Sequence, residues 1–342
     1  MAKPLIILLS LLLFSLVTIG QEKVETLNEQ LDHYQKNDLF NGTVLIAKGG
    51  EILISRSIGY ASFEENIRLT ADTPMPISSI SKPFTALAIL KLKEEGLVQI
   101  DDQVTNYIED FPYPDITVRH LLNNTSGFKR SYKDDLYSIK EIVDFTTDKK
   151  PLPSFPPGTK YQYSNLGYSL LAAIVENASG MSFASFLEEE IFKKSGMQHT
   201  FLLTPENSQQ TKANSYNEKN KLKEWHLTSY PGARGIYASA HDLLKWEQLL
   251  YTDELVNQNL IKESYESGVL NDGSTINYGY GWRKWKGIEN LIFHGGDWVG
   301  SEALLLREIE QKWTIIILAN RENQVSKWAQ MDSILSALEI QN

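Results

Sequence analysis

Two side chains able to do chemistry open one amphipathic stretch, Pro-Ile-Ser-Ser-Ile-Ser-Lys-Pro-Phe-Thr-Ala-Leu-Ala-Ile-Leu-Lys-Leu-Lys-Glu-Glu-Gly, over residues 76–96. Ser79 and Lys82 are three residues apart, so on a helix they return to the same face. A serine hydroxyl is a weak nucleophile until a neighbour takes its proton, and a lysine kept from water is such a neighbour. The spacing therefore points to attack by Ser79 Oγ with Lys82 as its partner. Phe84, Leu87, Ala88, Leu90 and Leu92 recur at helical spacing, and Gly96 supplies the stop. Pro83 lacks an N–H and is tolerated only in the first turn, which puts the helix start close to Ser79 or Ile80. At that end, unpaired backbone N–H groups and the positive end of the helix dipole favour developing negative charge.

Ser-x-x-Lys is not selective by itself. It recurs at Ser126-Gly-Phe-Lys129, after Asn-Asn-Thr at a helix end and interrupted by Gly127. That copy lacks the helix-opening setting. A lysine at position 82 also fits a solvated helix face, so the surrounding chain has to decide.

Composition narrows the field. With 42% hydrophobic and 22% charged residues over 342 positions, the chain has the make-up of a soluble globular protein with a substantial core. Residues 1–20 carry Lys3 and then the apolar run Leu5 to Val17, too short to span a bilayer comfortably and of signal-peptide length. Cleavage is expected before Gln21, giving an exported protein, periplasmic or secreted, with no membrane span. An uncleaved N-terminal anchor is the competing reading. Loss of Lys3 moves the net charge from −10 to −11, and an acidic chain without basic clusters repels phosphate backbones, which excludes nucleic acid as a partner. There is no cysteine, so disulfides, thiolate nucleophiles and cysteine-ligated zinc are excluded. The six histidines, at 33, 120, 199, 226, 241 and 294, are scattered without a ligand-like pair. No metal and no cofactor is expected; the partner is a small-molecule or peptide substrate.

The elements that must position Ser79 follow from the patterning. Residues 22–38 read as a helix, and 42–48 with 51–57 as a β-hairpin around Gly49-Gly50. A helix over 117–123 ends at Thr-Ser-Gly127, whose Asn-x-Thr and Asn-x-Ser matches read as helix-end chemistry. Four of the twelve prolines fall in 151–158, a stiff stretch that places Tyr161-Gln-Tyr163-Ser-Asn165 with little freedom. Helices are expected from 166 to Gly180, over 182–195 up to Gly196, and over 243–250 behind a capping box at Ser239-Ala-His-Asp242. Strands are expected over 278–286, 291–294, 302–307 and 312–318, the last apolar enough to be central, then a closing helix over 325–340. The economical fold is α+β: one antiparallel sheet from both chain ends (about 21–75 and 262–342) flanked by helices, with a helical lobe over about 76–261. A site then lies where the lobes meet.

Ser79-Ile-Ser-Lys82, Tyr163-Ser-Asn165 and His294-Gly-Gly296, in this order and at these separations, resemble the serine β-lactamase and penicillin-binding-protein family, in particular its class C, D-aminopeptidase and esterase-like branch. The resemblance covers roughly residues 22–325. It includes Pro157-Gly-Thr-Lys-Tyr-Gln-Tyr-Ser-Asn-Leu-Gly-Tyr168, Leu121-Leu-Asn-Asn-Thr-Ser-Gly127 and Gly235-Ile-Tyr-Ala-Ser239. It implies a β-lactamase/D,D-peptidase-like fold and a Ser79 acyl-enzyme that water hydrolyses. It further implies that Lys82 and Tyr163 share proton transfer, that Asn165, His294 and Gly296 contact substrate, and that backbone N–H groups of Ser79 and Asp297 form the oxyanion hole.

One departure bears on substrate. Members of the family that bind penicillin or D-alanyl-D-alanine usually carry Lys-Thr-Gly where this chain has His294-Gly-Gly296. A histidine with an ordinary pKa is mostly neutral at pH 7, and Gly295 brings no hydroxyl, so both halves of a carboxylate clamp are weakened. An esterase, amidase or D-peptidase is thus favoured over a β-lactamase or D-Ala-D-Ala carboxypeptidase, with an inactive cell-wall sensor as a third possibility. Trp282, Trp285 and Trp298 are candidates for an apolar pocket, although core packing explains the first two equally well.

Overall fold

The computed structural model describes residues 23–132, 136–223, 230–288 and 290–340. The N-terminal run of the expected signal segment and His226 lie outside these.

Trp313–Ala319 is buried along its whole length, as a seven-residue apolar run in mid-sheet must be. Antiparallel partners flank it on both sides, with Leu305 opposite Ile316 in one neighbour and Leu45 opposite Ile316 in the other. The full sheet has six strands, ordered Arg283–Lys284, Leu291–Trp298, Ser301–Glu308, Trp313–Ala319, Gly42–Lys48, Glu51–Ile58, so the two chain ends do build one sheet. Alternation divides the side chains between two cores. Val44, Ile46, Leu304, Leu306, Ile315 and Ile317 pack against the helix over residues 23–36 and the helix Lys327–Leu338. Leu45, Ala47, Leu305, Ile316 and Leu318 face the larger core that holds the Ser81–Glu94 and Asn165–Ser179 helices.

A second, three-stranded sheet brings the reactive segment to that core. Ile236–Ala238 lies between Met75–Pro76 and Phe201–Leu202, so the chain enters Ser78 and Ser79 directly from a paired strand. Gly96, at φ +76°, ends the helix that follows, and Gly49-Gly50 turns the hairpin.

Three elements differ from the sequence expectation. Of 278–286 only Arg283–Lys284 is strand, because the glycine-interrupted Tyr278–Gly281 segment loops; Gly281 (φ +80°) leaves no room for a Cβ beside Lys82 O and Pro83. The 291–294 strand continues through both glycines to Trp298. The 182–195 helix is α only over Phe183–Leu187 and widens to a π-turn over Glu188–Phe192. Two helices went unread: Ile139–Lys149, with a Ser138/Glu141 capping box, and Gln258–Tyr265.

Candidate active site

A 3₁₀ turn over Ser78–Ile80 runs straight into the Ser81–Glu94 helix, so Pro83 falls in the first helical turn, as its missing N–H requires. Ser78 holds φ +49°, a left-handed conformation that costs a residue with a side chain about 1 kcal/mol or more. The turn packs closely against the facing strand. A Cβ on Gly296 would come within 2.3 Å of Ile77 O and 3.0 Å of Ser78 Cβ, so only glycine lets the end of the Leu291–Trp298 strand lie against the turn that presents Ser79.

Lys82 is wholly buried. Its Nζ donates to Asn165 Oδ1 at 2.9 Å and Ala233 O at 3.0 Å and lies 3.3 Å from Ser79 Oγ, a hydroxyl that can donate to the lone pair of a neutral amine. The amine also lies 4.6 Å from the centre of the Tyr163 ring. Among the described residues, three neutral groups and no carboxylate meet this amine. Desolvation first, then the positive charges of Arg234, Arg130 and Arg283, hold its pKa well below the usual lysine value. Burial pushes the Tyr163 phenol up to about 12, outweighing the Ser79 side chain, which draws it down. The two shifts run towards an uncharged amine and an uncharged phenol, a base and a donor beside one hydroxyl.

Tyr163 and Asn165 are held by a loop clamp. Asn124 accepts from Gln162 N through its carbonyl and from Ser164 N through Oδ1, each at 2.8 Å. The proline-rich stretch locks onto the same loop, Ser154 N donating to Gly127 O and Gly158 N to Thr125 O. Ser164 caps the Asn165–Ser179 helix through Gly167 N, which frees Asn165 for Lys82. The remaining Asn165 amide donates to Ser131 Oγ at 3.1 Å, and its backbone N–H goes to Arg130 O. Asn165 thus fixes both the lysine and the loop carrying Arg130. In the second Ser-x-x-Lys copy, Ser126 is buried and Lys129 is exposed, and Lys129 bonds through its backbone, its carbonyl accepting from Ser164 Oγ and its N–H donating to Tyr132 OH.

His294 differs from its sequence expectation. It is 1% exposed, with Nε2 3.3 Å from Tyr278 OH and Nδ1 2.8 Å from Gly295 O. Burial, then Arg283 and Lys82, hold its pKa well below the usual value. Strand alternation turns it behind Tyr163, away from the open cavity, so a substrate contact is replaced by packing against the two phenols. Trp282 likewise belongs to the core, stacked on Trp246, and Trp285 packs on Phe293.

A cavity of about 320 Å³ opens on Ser79 and Tyr163. Phe293, Gly295 and Asp297 line it from the strand, and Trp328 from the closing helix. Phe293 and Trp328 meet edge to face at 5.8 Å, and the Asp297 carboxylate pairs with Lys327. Arg130 and Arg283 complete the lining, and neither was singled out in the sequence. Both sit in an acidic chain beside a recognised motif, the one signal that would have found them.

A buried serine–lysine pair, a phenol and a glycine strand edge surround an open cavity on an α+β scaffold, an arrangement of the serine-hydrolase kind. Residues 27–335 match the Beta-lactamase family, and the chain belongs to it. It is similar to penicillin-binding protein 4* of Bacillus subtilis, 34% identical over 88% of this chain and 72% of the relative. It is also similar to protein flp of Staphylococcus aureus, 24% identical over 89% of this chain, of whose length it spans 64%. Among solved structures, a penicillin-binding protein from Bacillus halodurans aligns with a TM-score of 0.76 at 26% identity, over 93% of this chain and 99% of that one.

Proposed function

We propose that the protein is an exported serine hydrolase that cleaves an ester or an amide through an acyl-enzyme on Ser79. The single observation that carries this reading is the buried Lys82 Nζ 3.3 Å from Ser79 Oγ and 4.6 Å from the ring of Tyr163, with Ser79 and Tyr163 lining one cavity. Neutral Lys82 takes the Oγ proton as Oγ attacks the carbonyl carbon. Backbone N–H groups of Ser79 and Asp297 hold the oxyanion, one such donor being worth about 3 kcal/mol. The Tyr163 phenol passes a proton to the leaving oxygen or nitrogen, and water then attacks the acyl-enzyme as the same groups run in reverse. The direction of the two pKa shifts favours Lys82 as first base, since the phenol resists ionisation. Asn165 orients the lysine, and His294 supports Tyr163 from behind. The apolar run over residues 5–17 supports export.

A β-lactamase or D-Ala-D-Ala carboxypeptidase reading draws on the penicillin-binding name of the Bacillus subtilis relative. Rapid turnover of a chromogenic cephalosporin would favour it. The acyl-enzyme itself is tested by mass spectrometry after incubation with a fluorophosphonate: the adduct is expected on the Ser79 peptide, and an unlabelled protein removes the proposal.

A further inference from the structure

The amine of Lys82 has a partner that the sequence did not announce, the backbone carbonyl of Ala233, 3.0 Å from Nζ. That carbonyl belongs to a tight turn over residues 230–235. Tyr230, Gly232 and Gly235 hold φ of +61°, +88° and +101°, and a tyrosine stays in the left-handed region only where its surroundings over-determine it. Here they do. Ala233 N and Arg234 N both donate to Tyr230 O at 3.0 Å, and Tyr230 OH accepts from Tyr132 N at 2.9 Å. A Cβ on Gly232 would come within 2.7 Å of Ala172 Cβ and 2.8 Å of Tyr168 O, so the turn is pressed onto the Asn165–Ser179 helix.

On its other side the turn is tied to the helix that carries Lys82. Ser81 Oγ accepts from Ile236 N at 3.3 Å, and Thr85 Oγ1 donates to Gly232 O at 2.6 Å. Thr85 is wholly buried, and its hydroxyl also lies 3.2 Å from Ser81 O, the back-bond open to a threonine in any helix. A hydroxyl has one proton to give, and the shorter contact takes it. Thr85 therefore fixes the Gly232 carbonyl, one residue before the carbonyl that meets the amine.

A neutral amine has two N–H groups and one lone pair. We infer that Thr85 is a positioning residue for the base: it holds the turn so that Ala233 O takes one N–H of Lys82, Asn165 Oδ1 takes the other, and the lone pair is left facing Ser79 Oγ. As Oγ attacks, its O–H bond breaks and a third N–H bond forms on Nζ. The positive charge that then appears on the amine meets two carbonyl oxygens already in place. The inference rests on the Ser79 acyl-enzyme reading and adds to it a side chain outside the motifs that marked the site.

The test compares Thr85→Ser with Thr85→Ala, which lose the same methyl and differ by the hydroxyl alone. Each is followed by the second-order rate of fluorophosphonate labelling at Ser79 against pH. Thr85→Ser is expected to label at a rate close to that of the wild type. In Thr85→Ala the plateau rate falls by about tenfold, the worth of a hydrogen bond to a developing charge. Its midpoint also moves to lower pH, because a carbonyl that accepts more strongly from an ammonium than from an amine no longer favours the charged form. The charged and titratable groups around the amine, Arg130, Arg234, Arg283, Tyr163, Tyr168 and His294, are common to all the variants, so the midpoint reports the turn. A fold that had merely loosened would admit water to the amine and move the midpoint upward instead. Equal plateau rates in the serine and alanine variants, or an upward midpoint in Thr85→Ala, overturn the inference. Thr85→Val fills the space of the methyl and hydroxyl and repeats the test without a cavity: the same loss supports the inference, and a wild-type rate overturns it. An unlabelled wild type sinks the acyl-enzyme; a labelled wild type with equal rates in the serine and alanine variants sinks only the role of Thr85.

Discussion

The floor and the mouth of the cavity are built in opposite ways. At the floor, Lys82 and Asn165 are buried to 0% and 1% exposure, and the polar groups of both are taken by fixed partners. At the mouth, Arg130, Asp297 and Trp328 are exposed and Arg283 is half-buried. The floor is preorganised, so its dipoles are already aimed when a substrate arrives and its amine has already lost its water. The mouth offers charge and ring surface that solvent now covers. Chemistry is set by the first region and choice of substrate by the second.

Changes at the floor should act on kcat and changes at the mouth on selectivity. Removing the nucleophile has the largest effect: Ser79→Ala and Lys82→Met are each expected to lower kcat/KM for any accepted ester by roughly 10⁴-fold or more, measured as burst-free steady-state hydrolysis. Comparable losses from Arg283→Gln on a neutral ester would erase the distinction between the regions.

Next is Gly296→Ala. Its Cβ would press on Ile77 O and Ser78 Cβ, so the turn presenting Ser79 has to move. A stability loss of about 1–3 kcal/mol is expected by denaturant titration, together with lost activity.

A subtler effect distinguishes a buried neutral lysine from an ion-paired one. Lys82 has a depressed folded pKa, so below its ordinary value near 10.5 the unfolded chain binds the extra proton and folding must expel it or bury an ammonium. The wild type is penalised most on the acid side and recovers as pH rises towards 10.5. Lys82→Met removes that penalty. Its Tm relative to wild type should therefore be highest at low pH and decline with rising pH; a difference that grows with pH would mean the lysine is stabilised as a cation.

The smallest effect is expected at the rim. Trp328→Ala should raise KM by roughly threefold to tenfold for esters with an aromatic acyl group, about the worth of one ring contact, with kcat little changed. Equal shifts for aromatic and short aliphatic esters would take Trp328 out of the recognition surface.

The floor was legible in the sequence because its parts are local. Ser79, Lys82 and Pro83 occupy consecutive turns, so spacing and backbone restriction marked them, whereas Tyr163 and Asn165, though placed by a proline-stiffened approach, entered the site through the family resemblance. The central strand and the two-ended sheet were equally readable from apolar runs and Gly49-Gly50. The side on which His294 would fall was not readable, because the strand was expected to end there; it runs on to Trp298, and its register against Ser301–Glu308 turns the imidazole inward. Arg130 and Arg283 were missed for the same reason. They are 153 residues apart in sequence and meet at Tyr163 only through the packing of a loop on an edge strand.

The most direct test of the account is the pH dependence of fluorophosphonate labelling at Ser79, followed as a second-order rate in wild type and in Arg283→Gln. The account predicts a rate that rises to a plateau with a midpoint well below 10.5, and a midpoint moved upward in Arg283→Gln, where one cation no longer opposes protonation of Lys82. A rate that climbs through pH 10 without a plateau, or labelling of Lys82→Met as fast as wild type, would contradict it.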